Sequence, residues 1–86
     1  MIIHIRYPSG IEHALVGTTA DGPLILASWG RHFRVPTARV ISLPEAKTVV
    51  GHWRDHQKRG DLVVMSANWD ALKGIVPLAT AEENIA

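Results

Sequence analysis

Apolar and polar residues alternate along the first third of the chain, and near its middle the apolar positions shift to a helical spacing. Ile3, Ile5 and Tyr7 fall on one face of an extended segment and Ile2, His4 and Arg6 on the other, the period of two that marks a strand. Pro8-Ser9-Gly10 supplies turn chemistry, and Ile11–Val16 reads as the return strand of a hairpin. A second turn is expected at Thr18–Gly22, where Asp21-Gly22 is a hairpin signal. The strand that follows, Pro23–Trp29, carries Leu24, Ile25, Leu26 and Ala27 and is therefore apolar on both faces. Such a strand belongs inside a sheet, with a helix on one side and another apolar surface on the other. Gly30 breaks or bulges the chain. Arg31–Val35 alternates again as far as Pro36, and Arg39–Ile41 is a further short strand.

The helical signal begins at Ser42. Ser42-Leu43-Pro44-Glu45 has capping-box spacing, with Pro44 in the first turn, where no N–H is needed. The helix is predicted over residues 43–59, with Lys58 and Arg59 at the negative end of its dipole and Gly60 closing it. Ala46, Val49, Val50 and Trp53 share one stripe, which must face the sheet. Leu62–Met65 then reads as a short buried strand. A second short helix is expected over about 68–73, and residues 79–86 read as a tail. The pattern predicts one α+β domain over residues 1–78. It is an antiparallel β-meander of four to six strands with one main helix across it, and a partly open barrel is the neighbouring arrangement.

Composition narrows the function classes. Eighty-six residues make one domain, and 47% apolar with 20% charged residues is ordinary for a folded globule. The absence of cysteine removes disulfides, thiolate zinc sites and cysteine nucleophiles together. A secreted domain of this size usually carries disulfides, so the cytoplasm is favoured. Met1–Arg6 does not have the layout of a signal peptide. Apolar runs stop at four residues, whereas a membrane span needs about 20. The net charge of +1 becomes +3 over residues 1–78, because Glu82 and Glu83 lie beyond them. That is mild for a nucleic-acid coat, whose affinity grows with each phosphate neutralised.

Two places concentrate candidate chemistry. On the helix, Lys47, Gly51, Arg54 and Lys58 lie within about 60° of one another, away from the core stripe. Gly51 in mid-helix costs roughly 1 kcal/mol against alanine, and a glycine among three cations lets another backbone or a phosphate chain approach closely. The same stripe also reads as an ordinary solvated surface. The second place is Trp29–Arg34 with Arg39. Alternation puts His32 and Arg34 on one face and Arg31, Phe33 and Val35 on the other. Arginine and aromatic side chains anchor interfaces and stack bases, although Trp29 and Phe33 read more naturally as core with the arginines snorkelling over it.

Five histidines add little. His52 and His56 have the i, i+4 spacing of a metal pair but lack a third ligand in the pattern. His4 and His13 could meet across the first hairpin if its register allowed. No serine sits in a nucleophile-elbow pattern, and the scattered carboxylates are accounted for mainly by turns and caps. No cofactor is expected. The sequence favours a small non-catalytic binding protein that docks on another protein as an adaptor, regulator or inhibitor, of the kind phages and plasmids encode. An apolar central strand with one face left over also suggests a homodimer. The alternative is a nucleic-acid-binding regulator using Arg31, Arg34 and Arg39 with Lys47, Arg54 and Lys58, and a metal-dependent enzyme comes third.

Overall fold

The computed structural model describes residues 2–17 and 22–68. Within them the order is β1 (Ile3–Arg6), β2 (Ile11–Gly17), β3 (Leu24–Gly30), β4 (Thr37–Ile41), α1 (Leu43–Lys58) and β5 (Val63–Ala67). The five strands form one antiparallel sheet in the order β4-β3-β2-β1-β5. The sheet stays open, with β4 and β5 as its edges, so the α+β meander is correct and the barrel arrangement is not. β3 lies inside the sheet, as its two apolar faces require. The expected second helix over about 68–73 lies, apart from Asn68, outside the described residues, as do the tail and most of the Thr18–Gly22 turn.

Residues 31–35 depart from expectation. They form a turn and bend, not a strand. The backbone reverses at Gly30 (φ 101°), and the Phe33 N–H donates to the Gly30 carbonyl at 3.0 Å. A side chain at Gly30 would sit 2.2 Å from the carbonyl oxygen of Gly10, so only glycine fits where the two loops cross. His32 follows at φ 78°. Alternation in the sequence could not reveal this, because a tight turn placed inside an alternating run leaves the polarity pattern intact.

α1 begins and ends through its caps. The Ser42 hydroxyl accepts from the Glu45 N–H at 3.2 Å, but the Glu45 carboxylate turns away from the cap and pairs with Arg39 on β4. At the C-terminus Gly60 (φ 76°) donates to the Gln57 carbonyl and Asp61 to the His56 carbonyl, the paired bonds of a Schellman stop. Ala46, Val50 and Trp53 are buried and Val49 packs beside them, as the stripe predicted. They cover Ile3, Ile5 and Leu15, which are fully buried, together with Ile2, Ile41, Leu62 and Val64. Burying a side chain of this size is worth about 1.5–3 kcal/mol, so this single layer is the main source of stability.

Candidate functional site

The strand registers sort every side chain onto one of two faces. Ile3 and Ile5 pair with Leu15 and His13, which pair in turn with Leu26 and Ser28. These residues face the helix. His4, Ala14 and Ala27 share the reverse face with Arg6, Glu12 and Trp29. His4 and His13 therefore lie on opposite sides of the sheet and cannot meet.

On the helix side, polar groups gather along one flank of α1. The Tyr7 hydroxyl and Nδ1 of His56 share a hydrogen bond of 2.6 Å, and Nδ1 of His13 shares one of 2.7 Å with Ser28 Oγ. The His13 ring stacks on Trp53 and meets the Tyr7 ring edge-on. Burial pushes the His13 pKa below its ordinary value, which keeps the imidazole neutral. Burial, and secondarily the charge of Asp61, pushes the Tyr7 phenol up and keeps it protonated. The Arg39–Glu45 pair sits at the other end of this flank. Serine and histidine at this distance have the contact of a nucleophile and its base, but no carboxylate among the described residues orients the imidazole. The contact instead satisfies polar groups at the rim of the core.

The opposite flank of α1 holds Lys47, Gly51, Arg54 and Lys58. The three cations are exposed and have no ion pair or hydrogen bond among the described residues. A β-carbon at Gly51 would find nothing within 4 Å among the described residues. Arg39 does not join this stripe, because its pairing with Glu45 places it across the helix. Arg31, His32 and Arg34 are exposed in the β3–β4 connection, apart from both. The eight residues singled out by sequence thus divide among three places. His52 is exposed, His56 is engaged by Tyr7, and no group of three potential metal ligands occurs among the described residues.

The reverse face is the largest feature that the sequence did not single out residue by residue. Ala14, Ala27 and Ala38 form one cross-strand row, and Val16, Ile25 and Val40 form the next. At the other end the Trp29 and His4 rings meet over β2, 5.2 Å apart, above the small and buried Ala14. Glu12 accepts from His4 Nε2 at 2.8 Å and lies directly across from Arg6, so the face is nearly neutral. No helix or strand among the described residues lies over it. Val40 and Val63, toward its two edges, are 66% and 53% exposed. Trp29 and Phe33 stand outside the core cluster, contrary to their reading as core. The available signal was the period of two in β3, which sends Ile25, Ala27 and Trp29 to the side opposite Leu24 and Leu26.

No family model, no curated protein and no solved structure matches the chain. Among the described residues no helix is long and apolar enough to cross a membrane.

Proposed function

We propose that this protein is a non-catalytic binding domain that docks on another protein through the reverse face of its sheet. The observation that carries this reading is the apolar field of Ile25, Ala27, Ala38 and Val40, with no described element over it and with no unbalanced charge on it beyond Arg6 and Glu12. Apolar fields of this kind are characteristic of interfaces, and Trp29 at its margin is the residue type that most often anchors one. A second copy of the chain is one such partner, which gives a homodimer. The absence of cysteine suits the reducing interior of a cell, where such a domain would act as an adaptor, regulator or inhibitor.

The test is a pull-down with tagged protein, with and without nuclease and at two salt concentrations. Docking through an apolar face predicts a discrete protein that survives both treatments. Loss of all bound material on nuclease or salt would transfer the function to nucleic acid, whose phosphate contacts weaken steeply with salt. Light scattering over a range of concentrations reads self-association in the same preparation.

A further inference from the structure

The glycine in the middle of α1 has no explanation within the described fold. A helical glycine costs about 1 kcal/mol relative to alanine, and at Gly51 that cost returns nothing, since an added β-carbon would touch no described residue. Around it, Lys47, Arg54 and Lys58 project into solvent without an acidic partner among the described residues. On the opposite flank, by contrast, Glu45 is taken up by Arg39. Absence of a side chain and unpaired charge therefore coincide on one flank.

We propose that this flank docks an acidic helical segment of a partner protein. The surface is separate from the reverse face of the sheet, and the proposal does not depend on that face being used. The three cations are seven and four residues apart, about 10.5 and 6 Å along the axis, and a partner helix can offer carboxylates at the same two spacings. Helices packed through ordinary side chains keep their axes about 8–10 Å apart. The bare backbone at Gly51 allows a closer approach, which brings the flanking ammonium and guanidinium groups onto the carboxylates. Nucleic acid fits less well. Three cations neutralise few phosphates, and Asp55, exposed at the solvent border of the flank, repels a phosphate chain that runs along the helix. A partner helix can place a neutral residue opposite it.

The probe is a synthetic alanine-rich helical peptide with glutamates at the two spacings, tested by fluorescence anisotropy against the whole protein. An oligonucleotide of equal charge is run in parallel. Wild type binds the peptide more tightly than the oligonucleotide. Gly51→Ala raises the melting temperature yet weakens the peptide by about tenfold, a loss near 1.4 kcal/mol. Arg54→Glu abolishes binding, and a peptide with one glutamate changed to lysine restores it, while Asp55→Asn tightens the original peptide. Peptide affinity unchanged in Gly51→Ala, no binding by wild type, or tighter binding of the oligonucleotide would each overturn the proposal. None of these results depends on Ala27 or the reverse face, so failure here and failure of the docking face are distinguishable.

Discussion

The two flanks of α1 look alike in the sequence and differ completely in the fold. One, running through Glu45, His52 and His56, is stitched to the sheet by the Arg39–Glu45 pair and by the Tyr7 hydroxyl on His56. The other, running through Lys47, Gly51, Arg54 and Lys58, makes no ion pair or side-chain hydrogen bond among the described residues. Both lie beside the same buried stripe and both are polar. The difference shows where stability ends and availability begins. Residues on the first flank are occupied in holding the helix, whereas the cations on the second hold no ion pair or hydrogen bond among the described residues.

The comparison can be broken in order of size. Trp53→Ala, in the stripe that both flanks share, removes a buried ring and the surface on which His13 stacks. It should lower unfolding free energy by about 3–5 kcal/mol in urea titrations. Tyr7→Phe, on the stitched side, leaves His56 Nδ1 without its partner and should cost about 1 kcal/mol by the same measurement. Gly51→Ala, on the free side, should move stability the other way by up to about 1 kcal/mol.

Acid sharpens the contrast further. Burial holds the His13 pKa below its ordinary 6.5. As pH falls from about 6.5, the unfolded chain takes up a proton that the folded chain refuses, so stability declines until the folded pKa is reached and then levels off. Thermal melts across this range should show the decline in wild type and a flatter profile in His13→Gln. The smallest effects belong to Lys47→Ala and Lys58→Ala, each within about 0.5 kcal/mol of wild type. A large loss in either would mean that the free flank is holding something in place.

Most of the architecture was legible because it rests on short-range signals. Periods of two in Ile2–Tyr7 and Ile11–Val16, the Ser42 cap, and the stripe through Ala46, Val50 and Trp53 each declare themselves within a few residues. Residues 31–35 were misread because the positive φ at Gly30 and His32 leaves no mark on the alternation of polarity. The site was less legible still. The relations of Tyr7 to His56 and of His13 to Ser28 span 49 and 15 residues, and only the pairing register decides which histidine shares a face with which serine. Grouping Arg39 with the helix cations was a fair reading of charge, but the pairing with Glu45 separates them. The reverse face was present in the alternation of β3 but could be seen as a field only once β2 and β4 were placed beside it.

The most direct test of the docking account uses one variant and two readings on the same sample. Ala27→Arg puts a charge at the centre of the reverse face and outside the core cluster. The account predicts a melting temperature close to wild type together with loss of the captured protein in a nuclease-treated pull-down at high salt. Retention of that partner by a folded Ala27→Arg protein would contradict it.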